Sequence, residues 1–367
     1  MGIIFGGATA LQIIRAARTG MLGSLSAPTS GRRRVDVFDG RPSDGTRWTR
    51  RRIVEKLPAE LREGLADAVI DVAMRSASMR PKARGVRSTV WGRSAVPGAF
   101  IELGDGVAVS SPEVALIEMR RDTDALGLAL VGMELCGGYS LPPAGSAGET
   151  RFFIPAVSTR DKLEKAARTV GWAKGMSKVS EALALVKDGC WSPMEPIVSA
   201  FSERGIDELG YEVGAVKVNR REAARDEALA TKASRVPDIM FEGTPVGINY
   251  DGAGHYDLAR VEKAALSAAM GAGTKAAWDE LEGAKREVRA KYADDRRRER
   301  DLWADGLTVF TMTREDLYEE GALDLLMRQV CTAIARTTGR DMGMQLDALG
   351  DAELARRRYE LLKSVLP

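Results

Sequence analysis

Apolar positions in the first half of the chain recur with the spacing of helices in some segments and of strands in others. Residues 5–19 repeat apolar side chains at helical spacing, and residues 58–79 alternate small apolar with charged residues as a surface helix does. Short apolar runs at 86–90, 99–103 and 107–109 predict strands, because turn-forming residues separate them. We therefore expect helices packed with a sheet.

One helix start in this half is particularly clear. Ser111, Pro112 and Glu113 supply a capping hydroxyl, a proline at the first helical position and an acid in the first turn. This pattern predicts a helix that runs to Arg121. Further helices are predicted over 124–136, 158–170 and 178–187.

The second half has its own order: a helix, strands, a long helical insertion, another strand and a closing helix. The predicted ranges are 192–205, 211–218, 236–241, 246–251, 260–303, 307–312 and from Arg314 onward. A Gly-Thr-Pro turn joins 236–241 to 246–251 and predicts a hairpin. The charged residues 219–233 fit either a hairpin or a helix.

A length of 367 residues predicts two domains. We place the boundary between Asp188 and Ser192, where the character of the sequence changes. The predicted arrangement is a terminal helix and linker at 1–30, a smaller α+β domain at 31–189, a second domain at 190–335 with its helical insertion at about 258–293, and a helical tail at 336–367. The predicted class is α/β (α+β), with a mixed sheet flanked by helices in the second domain.

Composition and charge narrow the class of protein only slightly. Apolar residues make up 44% and charged residues 29%, which is typical of a globular chain, and the net charge is +2. Three basic clusters, Arg32–Arg34, Arg50–Arg52 and Arg296–Arg298, would suit a polyanion if they share a face, but each fits a solvated helix face equally well.

The cysteine and histidine content excludes several kinds of site. Three widely separated cysteines give neither a disulfide framework nor zinc-ligand spacing, so a cytoplasmic location is expected. The apolar start is too short to span a bilayer, and no membrane association is expected. His255 is the single histidine, which excludes a site built from several imidazoles.

Acidic and polar side chains converge at the predicted hairpin. Asn249 and Asp251 are two apart on one strand and share a face, and the neighbouring strand can present Asp238 beside them. Gly252 permits a sharp turn that would fold His255 back over the carboxylates. With a helix acid, Glu195, nearby, such oxygen ligands would hold a divalent cation, and His255 would act as general acid or base.

This second half resembles the PD-(D/E)XK nuclease superfamily and, within it, the very-short-patch-repair-like endonuclease-fold proteins. The resemblance lies in Pro237–Phe241, in Ile248–His255, and in an Asp, Arg, Leu, Gly and Val pattern from Asp295 to Val309. It implies that Asp238 and Asp251 bind Mg²⁺ or Mn²⁺, that His255 and Glu195 act in catalysis, and that DNA is the substrate.

Two departures from the family pattern stand in the same region. Asn249 occupies a position that is usually Glu, although the mismatch-repair subgroup also lacks a carboxylate there. The insertion before Asp295 is longer than the family usually carries, and we expect a helical hairpin that serves as a lid, a DNA clamp or a contact for a partner protein. Asp295 and Arg298 are interpreted as a structural i, i+3 pair.

Three segments of the first half, Val96–Phe100, Val107–Glu113 and Glu134–Leu141, resemble the region that precedes this nuclease-like domain in bacterial proteins related in layout to AbiEi-type antitoxin regulators, and the resemblance covers about residues 30–145. The resemblance implies a bacterial defence or toxin–antitoxin system. Three functions remain open: a metal-dependent DNA endonuclease, a catalytically degenerate nuclease-fold protein that binds DNA or regulates as an antitoxin does, and a structural interaction protein built on the insertion.

Overall fold

The computed structural model of the protein describes residues 2–23, 34–35, 48–91, 96–171, 173–223, 231–232, 234–251, 258–270 and 274–367. The chain forms two compact units. The first consists of Met1–Ala200 together with the terminal residue Pro367, and the second consists of Phe201–Leu366. Both units combine helices with sheets, so the predicted α+β class is confirmed. Among the described residues, no helix combines the length and apolar character needed to cross a membrane.

The first unit is built around a six-stranded mixed sheet with the order β2-β5-β6-β1-β3-β4. Strand β1 lies inside the sheet, parallel to β6 on one side and antiparallel to β3 on the other. The strands are β1 (Ile3–Phe5), β2 (Arg34–Val35), β3 (Ile70–Met74), β4 (Val86–Val90), β5 (Phe100–Gly104) and β6 (Val107–Ser110), and a separate pair consists of β7 (Tyr139–Ser140) and β8 (Arg151–Phe152).

Eight helices accompany these strands in the described sequence up to Glu203. They are α1 (Gly7–Arg18), α2 (Arg50–Glu55), α3 (Ala59–Arg62), α4 (Pro112–Glu118), α5 (Ala125–Leu135), α6 (Arg160–Val170), α7 (Met176–Leu185) and α8 (Met194–Glu203). Ser111 caps α4 by accepting a hydrogen bond from the Val114 backbone N–H, as its sequence predicts. Helix α4 continues as a 3₁₀ turn to Arg121.

The prediction of a surface helix over 58–79 was wrong. Helix α3 ends at Arg62, and β3 follows with all five of its residues buried between β1 and β4. The charged residue inside this apolar strand suggested an exposed face, but the Asp71 carboxylate is paired with Arg87 on the neighbouring strand, Oδ1 to Nε at 2.6 Å. Pairing allows a buried strand to carry an acid.

The second unit holds a four-stranded mixed sheet with the order β14-β13-β12-β9. Strands β12 and β13 form the predicted antiparallel hairpin, and β14 lies parallel to β13. The strands are β9 (Val216–Val218), β12 (Ile239–Phe241), β13 (Val246–Asp251) and β14 (Thr308–Thr313), and a short antiparallel pair consists of β10 (Glu222–Ala223) and β11 (Ser234–Arg235). Of residues 219–233 the structure describes 219–223 and 231–232, and Glu222 and Ala223 pair with Ser234 and Arg235; the rest of this segment, and with it the choice between hairpin and helix, lies outside the described residues.

Helices of the second unit flank this sheet and form the insertion. They are α9 (Leu258–Met270), α10 (Lys275–Ala304), α11 (Arg314–Tyr318), α12 (Ala322–Thr338), α13 (Gly343–Ala348) and α14 (Ala352–Val365). Helices α9 and α10 pack together through Ala264, Ala268 and Leu281, as a helical hairpin does. The predicted helical insertion is confirmed for these residues.

The division of the chain differs from the predicted one at both ends. The described part of residues 1–30 belongs to the first unit, because β1 pairs inside its sheet. Residues 336–367 do not form a separate tail, because Arg358 of α14 is buried and pairs with Asp324 of α12. The observed boundary after Ala200 falls within α8, and the N-terminal unit is the larger of the two.

Candidate functional site

The hairpin places Asp238 beside the end of β13. Ile239 pairs with Ile248, so Asp238, one residue before β12, lies next to Asn249. The Asp238 backbone N–H donates to Asn249 Oδ1 at 3.2 Å, and the Tyr250 backbone N–H donates to Asp238 Oδ2 at 2.6 Å. The structure therefore brings together two of the polar residues that the hairpin pattern singled out.

The cation at this position is an arginine of α10. Arg298 Nη2 donates to Asn249 Oδ1 at 2.8 Å and to the carbonyl oxygen of Val236, and it lies 3.6 Å from Asp238 Oδ1. The side chains of Arg298 and Asp238 are 23% and 17% exposed. Partial burial strengthens a charge pair relative to one in water, so Arg298 compensates the charge of Asp238.

A network of hydrogen bonds one turn further along α10 supports this arginine. The Asp301 carboxylate accepts from Thr231 N at 3.0 Å and from Arg235 Nε at 2.8 Å. Burial opposes ionisation of Asp301, but the hydrogen bonds from Thr231 and Arg235 outweigh it and hold the pKa of Asp301 below its usual value. This network anchors α10 to the segment that leads into β12.

A pocket of about 50 Å³ opens beside Arg298. It is lined by Asn249, Tyr250, Asp251, Asp295, Arg296, Arg298, Glu299 and Thr311. This volume accommodates one or two water molecules or a similarly small group, and it is far below that of a small-molecule site. Burial raises the pKa of Tyr250, so its hydroxyl stays protonated at neutral pH. The pocket is therefore suited to one small group of a larger ligand.

The contacts of the described site residues do not fit a divalent cation well. One Asp238 oxygen accepts the Tyr250 N–H and the other faces Arg298, while Asn249 Oδ1 accepts two hydrogen bonds. Of the two predicted metal ligands, Asp238 therefore has both carboxylate oxygens facing hydrogen-bond donors, which compete with a hard cation. Within the described ranges, no group of three or more His, Cys, Asp or Glu residues is arranged to hold a metal ion.

Of the other predicted site residues, the structure describes Glu195 and Asp251. Glu195 is buried at the start of α8, where its oxygens accept from Trp191 N and Ser192 Oγ, both at 2.9 Å. These contacts give it the role of a helix cap. Asp251, at the end of β13, lines the pocket. His255 and Gly252 lie outside the described residues.

Arg298 is the site residue whose role the sequence analysis missed. We expected it to pair with Asp295 on its own helix, but its guanidinium instead reaches Asn249, 49 residues away in sequence. The available signal was the basic run Arg296–Arg298, which is the only one of the three basic clusters that lies in the predicted nuclease-like half.

No known protein family, no curated protein and no solved structure matches the chain.

Proposed function

We propose that the second unit is a nuclease-fold module that binds the phosphate backbone of nucleic acid at the Arg298 pocket without a divalent cation and without cutting. The observation that carries this proposal is the position of Arg298, hydrogen-bonded to Asn249 and facing Asp238. An arginine in this position supplies the positive charge that the resemblance assigns to a metal. It corresponds to the degenerate, DNA-binding alternative of the sequence analysis.

The chemistry of the guanidinium supports a phosphate ligand. Arginine carries five N–H donors in a planar fork that matches phosphate oxygens. Nη2 makes the bonds to Asn249 and Val236, so Nε and Nη1 are the donors that a ligand would engage. Arg296 lines the same pocket and pairs there with Glu299 at 2.7 Å, so a phosphate would add its contact to Arg296 by replacing that carboxylate. A single phosphate oxygen matches the small volume of the pocket.

A metal-dependent endonuclease is the second candidate, and one observation favours it. Asp251, Asp295 and Glu299 all line the pocket, so acidic side chains are present on more than one side of it. The resemblance assigns Mg²⁺ or Mn²⁺ to such a position. The two candidates differ in whether the protein takes up a divalent cation.

Calorimetric titration with Mg²⁺ and Mn²⁺, together with cleavage assays on duplex and single-stranded DNA, separates these candidates. We expect no measurable cation binding, no cleavage, and retention of nucleic-acid binding in EDTA. The Arg298→Ala variant should lose nucleic-acid affinity, whereas the neighbouring Arg297→Ala variant should lose less. Cation-dependent cleavage that Asp238→Ala abolishes would overturn the proposal in favour of the endonuclease.

A further inference from the structure

Helix α10 carries aromatic and basic residues along one face. Their spacings of 7, 4, 3, 4 and 7 residues keep the six positions within about 60° of arc around the helix axis. We call this set the aromatic–basic stripe: Trp278, Lys285, Arg289, Tyr292, Arg296 and Trp303.

The aromatic side chains of the stripe are open to solvent. Trp278 is 50%, Tyr292 53% and Trp303 79% exposed. The helix packs through a different set of residues, since Leu281 and Ala284 are buried in the hairpin and Leu302 is buried near its end. The rings therefore lie on the side of the helix that faces solvent, away from the residues through which it packs.

Basic groups lie between the aromatic rings. The Arg296 guanidinium stacks over the Tyr292 ring, 5.2 Å from its centre. Lys285 and Arg296 each pair with an acid three residues away, Glu282 at 2.9 Å and Glu299 at 2.7 Å. Pairs of this exposed kind are weak, so a phosphate group can replace the carboxylate.

The stripe is continuous with the candidate site. Arg296 belongs to both, since it lines the pocket beside Arg298. From Trp278 to Trp303 the helix rises about 37 Å, which is long enough for several nucleotides. A chain of bases stacked on the rings would therefore bring its backbone to the pocket.

We propose that the aromatic–basic stripe binds single-stranded nucleic acid and leads it to the Arg298 pocket. Single strands are bound where aromatic rings stack on exposed bases while basic groups follow the backbone, and the stripe supplies both along one line. In a duplex the base faces are already stacked on each other. This inference rests on the proposed function of the second unit and specifies the substrate class.

Fluorescence anisotropy with end-labelled oligo-dT, oligo-U and a duplex of the same length tests the stripe. The full-length protein should bind the single strands more tightly than the duplex, and the two single-stranded probes distinguish DNA from RNA. Trp278→Ala and Trp303→Ala should each weaken single-strand binding by about tenfold, the effect of removing one stacking ring. Trp191→Ala removes a tryptophan of similar exposure from the first unit and should leave the affinity unchanged.

The salt dependence of single-strand binding tests the role of the basic residues in the aromatic–basic stripe. Four phosphate contacts, three from Lys285, Arg289 and Arg296 of the stripe and one from Arg298 in the pocket, predict a slope of log K against log salt of about −3 for a single strand. Arg289→Ala should reduce that slope by about 0.7. Arg356→Ala, an exposed arginine of α14, is the control and should leave the slope as it is.

Three results would overturn the inference, each in a different way. If the wild-type protein binds nucleic acid and the stripe variants bind equally well, the stripe is not the path, but the proposed function stands. If the wild-type protein binds no nucleic acid, both fall. Loss of self-association in the stripe variants, measured by sedimentation, with unchanged nucleic-acid binding would assign the stripe to a protein contact instead.

Discussion

Arg298 connects helix α10 to both strands of the hairpin. Its Nη2 donates to Asn249 at the end of β13 and to the Val236 carbonyl before β12. Asn249 is 8% exposed and accepts a second hydrogen bond from the backbone of Asp238. An asparagine at this position accepts from the arginine without adding a second negative charge beside Asp238.

Removing the Arg298 guanidinium should destabilise the second unit. Arg298→Ala leaves Asn249 and Val236 each short of one donor, which we expect to lower the free energy of unfolding by about 1–3 kcal/mol. Urea unfolding followed by circular dichroism measures the change. Arg297 is exposed, and Arg297→Ala should change the free energy by less than about 0.5 kcal/mol. Equal effects of the two substitutions would contradict the role given to Arg298.

The Asp301 carboxylate makes stability depend on pH. Its pKa is lowered in the folded protein, so the stability it contributes is present above its unfolded pKa, near 4, and is lost as the pH falls through the folded value. Asp301→Asn should therefore cost about 3 kcal/mol at pH 7, since it breaks a buried pair with Arg235.

Unfolding measured at pH 7 and again near pH 3 checks this prediction. The difference between Asp301→Asn and wild type should shrink at the lower pH. Asp294→Asn changes an exposed acid two turns earlier in α10, and it should have a much smaller effect at either pH. A difference for Asp301→Asn that grows as the pH falls would show that the carboxylate acts in the opposite way.

At the scale of elements, α10 contains a glycine with no structural need for it. A Cβ atom built on Gly283 meets no neighbouring atom within 4 Å. Gly283→Ala should raise the stability by about 0.5–1 kcal/mol, because alanine loses less backbone entropy in a helix. Gly210→Ala is the contrasting change, since its Cβ would collide with the Arg204 carbonyl, and it should cost about 2 kcal/mol or more. Thermal unfolding of the two variants should move in opposite directions, and a destabilised Gly283→Ala variant would contradict the description of α10.

Elements with strong local signals could be predicted from the sequence, and others could not. The capped start of α4 and the turn between β12 and β13 are specified by a few adjacent residues. Strand β1 has only three residues, too few to show a period, and the predicted helix starts at its last residue, Phe5. Strand β3 carries Asp71, whose burial depends on Arg87 from another strand, so its local pattern indicates a surface.

At the scale of the whole molecule, only one part of the candidate site follows from local sequence. That part is the meeting of Asp238 with Asn249, and the position of Arg298 is the other part. Asp238 and Asn249 meet because a hairpin pairs neighbouring strands, and alternation along β13 places Asn249 and Asp251 on one face. Arg298 lies at the site because helices α9 and α10 form a hairpin that returns the chain to the sheet. No local sequence pattern specifies this tertiary arrangement. Glu195 could not be distinguished from a capping residue by sequence, because both roles need an acid at a helix start.

The charge of the whole chain does not by itself favour a polyanion. Lys plus Arg number 54 against 52 Asp plus Glu, so binding must depend on the local arrangement of Arg298 and the aromatic–basic stripe.

The most direct test of this account compares single-stranded oligonucleotide binding by the wild-type protein in EDTA and in excess Mg²⁺. We expect the same affinity in both conditions once the ionic strength is matched, and an intact oligonucleotide after incubation. Binding that requires Mg²⁺, or an oligonucleotide cut only when Mg²⁺ is present, would contradict it.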